Sequence, residues 1–181
     1  VNRTLVFSAD CAEQFPADCP EDIANHYEEA VRHWSSVGQM VPCGQNLVKD
    51  YDVLVWPVVA KNGADWSVVT ARLSNDTKME MDFEVTHYDP QGVFDPSVVT
   101  IARTFLRLYV AMKSDPPRIE GVNFTTEKVK PDCPAQKHAS GVMTMWVMRC
   151  ALFNKGSTTP LPTGILIPRI AMHLARELVA D

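Results

Sequence analysis

No stretch of this chain is long and apolar enough to cross a bilayer, and its beginning lacks the pattern of a signal peptide. Runs of lysine and arginine are missing too. With a formal net charge of -5, nothing supplies the phosphate-neutralising stripe of a nucleic-acid-binding face. The five cysteines (Cys11, Cys19, Cys43, Cys133, Cys150) are odd in number and contain no C-x-x-C pair. That pattern favours free thiols in a reducing compartment. Three N-x-T sequons, at Asn2, Asn75 and Asn123, pull toward a glycosylated extracellular protein, but the cysteines outweigh them. The expectation is an intracellular protein, nuclear or cytoplasmic, with no membrane and no nucleic acid among its partners. Internal repeats and low-complexity tracts are also absent.

What is present is an ordinary globular balance, 46% hydrophobic and 22% charged over 181 residues. A chain of this size buries roughly 70% of its unfolded surface, so it needs neither a metal nor a disulfide staple. One domain over 1–181 is expected, with 1–20 as an irregular extension punctuated by Pro16 and Pro20. The chain begins with Val1 and not Met, so it reads as a piece of a longer polypeptide.

Pro20, Glu21 and Asp22 read as a first helical turn; Ile23, Tyr27, Ala30, Val31 and Trp34 continue at helical spacing to Gly38. Tyr51 to Ala60 is apolar on both faces, as a covered strand is. Asn62-Gly63 signals a turn, and Trp66 to Leu73 and Met79 to Tyr88 read as the next two strands. Asp95-Pro96 caps a helix to about Lys113, whose apolar face is Val98, Ile101, Ala102, Phe105, Leu108 and Tyr109. Pro116-Pro117 stops it. A strand over Asn123 to Lys130, a loop over 131–139 and an apolar helix over Gly141 to Phe153 follow. That helix is expected to bury Val142, Met145, Trp146 and Leu152. A connector over 154–164 and a last helix from about Pro168 to Val179 complete an α+β domain with a central sheet.

Four pieces of this order carry chemistry. Val53 to Val58 is a strand ending in Trp-Pro-Val. Gly63-Ala64-Asp65-Trp66 turns into the next strand. His87-Tyr88-Asp89-Pro90 puts an acid at a strand end. Gln136-Lys137-His138-Ala139-Ser140-Gly141 runs directly into the apolar helix. Together with Ile167-Pro168-Arg169-Ile170-Ala171, they resemble the ubiquitin-like-protein proteases, the SUMO-deconjugating cysteine proteases, over roughly residue 20 to the end. The resemblance implies a papain-like, ubiquitin-like-protease fold with a central mixed β-sheet flanked by helices. It implies no cofactor and no metal.

In such a site a helix N-terminus lowers the pKa of a cysteine thiol, a histidine takes its proton, and an acid orients the histidine. A glutamine serves the oxyanion, and a glycine after the nucleophile leaves room for the substrate backbone. By this resemblance the acid is Asp89 and the glutamine Gln136, which stands closer to the nucleophile position than in many members. The base position holds Asp65 and the nucleophile position Ser140, with Ala139 in place of the usual acid. Trp66 and Gly141 correspond to the residues that cover and admit a Gly-Gly tail. A carboxylate with a reference pKa of roughly 4 is no base for a serine hydroxyl.

The expected function is therefore a catalytically inactive pseudoprotease domain acting as an interaction module for a ubiquitin-like protein or another protein partner. Two alternatives remain: an active ubiquitin-like-protein protease captured as a Cys-to-Ser mutant, or a structural domain derived from a mobile element. Each residue also has a plainer reading. Asp65 is a polar hairpin residue, Asp89 a turn former before Pro90, Gln136 and His138 loop residues capping the next helix. His87 faces away from Tyr88 across the sheet, and His138 lies two residues from Ser140, so both are poor substitute bases.

Overall fold

The computed structural model describes residues 3–16, 19–59, 65–78, 80–114, 120–130, 139–153 and 171–172, without the side chains of 12–13 and 151–153. Its elements are β1 (Thr4–Val6), α1 (Cys11–Gln14), α2 (Tyr27–Val37), a 3-10 turn (Gly38–Met40), α3 (Leu47–Asp50), β2 (Val53–Val59), β3 (Trp66–Asp76), β4 (Met81–Tyr88), α4 (Pro96–Lys113), β5 (Val122–Val129) and α5 (Ser140–Phe153).

The five strands form one mixed sheet in sequence order. β1 runs parallel to β2, β2 to β4 form an antiparallel meander, and β5 returns parallel to β4. β2 is buried from Val53 to Val58, as its unbroken apolar run requires. Pro57 is tolerated inside it for a geometric reason. Val55 turns its carbonyl toward β1, where it accepts the Phe7 N–H at 2.9 Å, so Pro57 also faces that side. β1 pairs no farther than Val55, so the N–H that Pro57 lacks has no ladder partner to lose.

Each sheet face has its own apolar layer. Leu54, Trp56, Val58, Val69, Ala71, Phe83 and Val85 pack with α4 and α2 through Phe105, Leu106, Ala102 and Ala30. Val53, Val55, Val68 and Tyr88 pack on the opposite face with Val147 of α5. α4 spans the expected residues, with the Asp95 side chain accepting the Ser97 N–H at 2.9 Å and Pro96 in the first turn. Tyr109, on its buried face, reaches out to accept the Leu47 N–H at 2.9 Å at the start of α3.

Three expectations are corrected. The described residues among the first twenty are not an irregular extension: β1 extends the sheet, and Phe7, Cys11, Phe15 and Cys19 are buried. Phe7 lies flat on Trp56, centroids 4.6 Å apart and planes 5° apart, with Phe105 edge-on at 5.3 Å. A three-residue strand whose partner lies some fifty positions ahead leaves no periodic trace. Nor does the helix open at Pro20. Asp22 accepts the Asn25 N–H at 3.2 Å and its amide at 2.7 Å, a local turn that competes with helix until Tyr27.

The face of α5 is the third. Met143, Thr144, Val147 and Cys150 are buried, whereas Met145 is 41% exposed and Val142 and Trp146 are half-buried. A helix apolar all round carries no phase in its periodicity. The Leu152 side chain, the Asn62-Gly63 turn, the Pro116-Pro117 stop, the 131–138 loop and most of the 154–181 segment lie outside the described residues.

Candidate functional site

Asp65, Trp66, Ser140 and Gly141 meet where β3 begins and α5 begins. Ser140, the first residue of α5, is 0% exposed, and its Oγ accepts the Trp66 backbone N–H at 3.1 Å. Trp66 is the first residue of β3, so this bond fixes the helix N-terminus to the strand start. The peptide unit that donates is the one joining Asp65 to Trp66. Asp65 is half-buried beside it, its Oδ1 shut off from solvent. The Trp66 indole covers the first turn of α5: a Cβ built on Gly141 would stand 3.6 Å from its Cδ1.

Asp89 reaches the same end of the sheet, because Tyr88 pairs with Val68, two residues past Trp66. Its carboxylate serves its own loop. Oδ1 accepts the N–H groups of Gln91 at 2.7 Å and Gly92 at 3.0 Å, and Oδ2 accepts that of Phe94 at 2.9 Å. Phe94 sits at φ 50°, a conformation these bonds hold in place. The loop-forming role before Pro90 is thus occupied, and sequence reasoning missed its three main-chain donors, which no side-chain motif encodes. Gln136 and His138 lie outside the described residues.

His87 is 1% exposed and lies across from Val69, on the α4 face of the sheet, away from α5. Its Nε2 is 3.3 Å from Ser67 Oγ and its ring stands edge-on to Phe94 at 5.4 Å. Burial pushes its pKa down, partly offset by Asp89 and Asp95. The imidazole is turned away from Ser140. On the α5 face, burial raises the Tyr88 phenol. Four described cysteines, Cys11, Cys19, Cys43 and Cys150, form no disulfide, and burial raises the pKa of the Cys11 thiol to about 11. Among the described residues no His, Cys, Asp and Glu cluster could hold a metal ion, and no helix is long and apolar enough to cross a membrane.

The mixed five-stranded sheet, with α5 entering beside the start of β3, is the fold of the ubiquitin-like-protein proteases. A solved de-sumoylating protease superposes with a TM-score of 0.55 at 11% identity, over 82% of this chain and 51% of its own. This chain thus spans about half the length of that protease. The SUMO protease Ulp1, with its catalytic cysteine oxidized to a sulfonic acid, gives a TM-score of 0.49 at 15% identity, over 95% of this chain and 68% of its own. The Chlamydia abortus effector protein ChlaDUB gives 0.45 at 13% identity, over 76% and 62%. No family model and no curated protein matches the chain by sequence.

Proposed function

We propose that this chain is a catalytically inactive pseudoprotease domain that works as a protein-interaction module, gripping a ubiquitin-like protein or another protein partner. The observation that carries this reading is the state of the Ser140 hydroxyl, which is fully buried and accepts the Trp66 N–H. At a helix N-terminus a thiol would gain acidity, but an alcohol needs a strong base to attack. The chain offers Asp65 at the neighbouring position, and His87 faces the other side of the sheet. Loss of thiol and base together removes a unit that its remaining members do not rescue. Trp66 over Gly141 is a covered edge of the kind that grips an extended tail, and that surface is what the module retains.

The test is release of a fluorogenic group from the C-termini of several ubiquitin-like proteins, with calorimetric titration of the same proteins. The unmodified chain is expected to give no turnover but to bind at least one of them or a protein recovered from its native source. Ser140→Cys is expected to be weakly active at most, and Ser140→Cys with Asp65→His has the best chance of recovery. Robust turnover by the unmodified chain overturns the proposal.

A further inference from the structure

β5 closes the sheet on one side, and two main-chain bonds reveal which of its residues face outward. Met81 N–H donates to the Gly121 carbonyl at 2.7 Å, and Asp89 N–H donates to the Val129 carbonyl at 3.0 Å. The N–H and C=O of one strand residue point to the same side, and successive residues alternate. Gly121, Asn123, Thr125, Glu127 and Val129 therefore address β4. Val122, Phe124, Thr126 and Lys128 turn their main-chain groups to the outer edge, where no described residue bonds them. The strand is eight residues long, pairs with β4 in unbroken register, and contains no proline. Apart from the charges of Glu127 and Lys128 it has none of the devices that protect such an edge from another chain.

Charge selects the occupant. Arg103 and Arg107, one turn apart on α4, both stand over the Phe124 ring, at 5.3 and 5.0 Å from its centroid. Phe124 is in turn stacked on Phe83 at 5.7 Å, so the platform is fixed. Neither arginine is in an ion pair among the described residues. Arg103 Nε is buried without an acceptor, and Arg107 donates to the main-chain oxygen of Glu21 at 3.2 Å. Lys128, on the same face of β5, is exposed. A second copy of this chain added antiparallel about Thr126 would set Lys128 of each chain beside the arginines of the other, a repulsive arrangement.

We infer that the β5 edge binds an extended acidic segment of another protein by strand addition, with carboxylates at alternate positions meeting Arg103, Arg107 and Lys128. Main-chain bonds to Phe124, Thr126 and Lys128 supply adhesion, and the cations select the sequence. The acidic stretch lies toward the Lys128 end. At the other end Glu120, with Glu21 and Asp22, lines a cavity of about 460 Å³ beside Arg107, which favours a basic or neutral side chain there. This surface is separate from the Ser140 cleft, since α5 rests on β2 and β3.

The probe is a short peptide alternating Glu with Val, compared with its Lys-for-Glu counterpart, by fluorescence anisotropy and amide hydrogen exchange. Expected are binding of the acidic peptide only, weakening as salt rises, and slowed exchange at the amides of Phe124, Thr126 and Lys128. Arg103→Glu with Arg107→Glu is expected to weaken binding at least about tenfold. Thr126→Pro removes an outward N–H without touching the β4 ladder, so it abolishes binding in a protein that stays folded. Equal binding of both peptides, binding of neither, unchanged exchange at those amides, or a β5-mediated dimer in sedimentation each overturns the inference.

Discussion

Ser140 Oγ accepts the Trp66 N–H at 3.1 Å across 74 positions of sequence, so the first residue of α5 holds the first residue of β3. Ser140→Ala strands that partly buried donor. The variant is expected to lose about 1–2 kcal/mol of stability. Urea denaturation measures it, and an unchanged midpoint would show that the bond contributes nothing.

Asp89→Ala is a larger insult, because three N–H groups of one loop lose a charged acceptor together. A loss of about 2–3 kcal/mol is expected, with roughly half recovered by Asp89→Asn, which keeps one carbonyl oxygen. Amide exchange at Gln91, Gly92 and Phe94 should quicken in the alanine variant. Exchange that stays slow there would mean that the loop holds its shape without the carboxylate.

His87 makes stability depend on pH in a definite direction. Its pKa is lowered in the folded chain by burial, from 6.5. The unfolded state therefore takes up the proton first as pH falls. The contribution is intact above about 6.5 and is lost progressively below it, down to the depressed folded value. Melting temperatures followed from pH 7 to pH 5 should fall more steeply for the native chain than for His87→Gln. Parallel curves would place the acid sensitivity elsewhere.

Phe7 tests whether the first residues belong to the fold. Stacked on Trp56 and 5% exposed, it should cost about 3–5 kcal/mol on conversion to alanine. Calorimetry of Phe7→Ala checks this, and a loss under about 1 kcal/mol would mean the segment is an appendage.

The central elements were legible because their signals are local. The alternation of Met81, Phe83 and Val85 and the Asp95-Pro96 cap lie within a few residues of the structure they specify. The meeting of Trp66 with Ser140 was readable only through the order of four weak motifs, since no periodicity connects residues that far apart. β1 stayed hidden because its three residues gain their stability from β2 and from the Trp56 ring. Asp89 was placed at a strand end from its neighbours, but its three acceptor bonds depend on a loop path that residue types do not dictate.

The order of strands also sets a timetable for assembly. β2, β3 and β4 join through hairpin connections, whereas β1 and β5 each enter in parallel across a long crossover. Loop closure must be made before such distant pairings repay it, so the meander forms early and both flanks close afterwards. β1, the first strand in sequence, is thus among the last to dock. In mutational kinetics, Leu5→Ala should chiefly hasten unfolding, with a φ-value near about 0, while Val69→Ala should slow folding, with a value of about 0.5 or more.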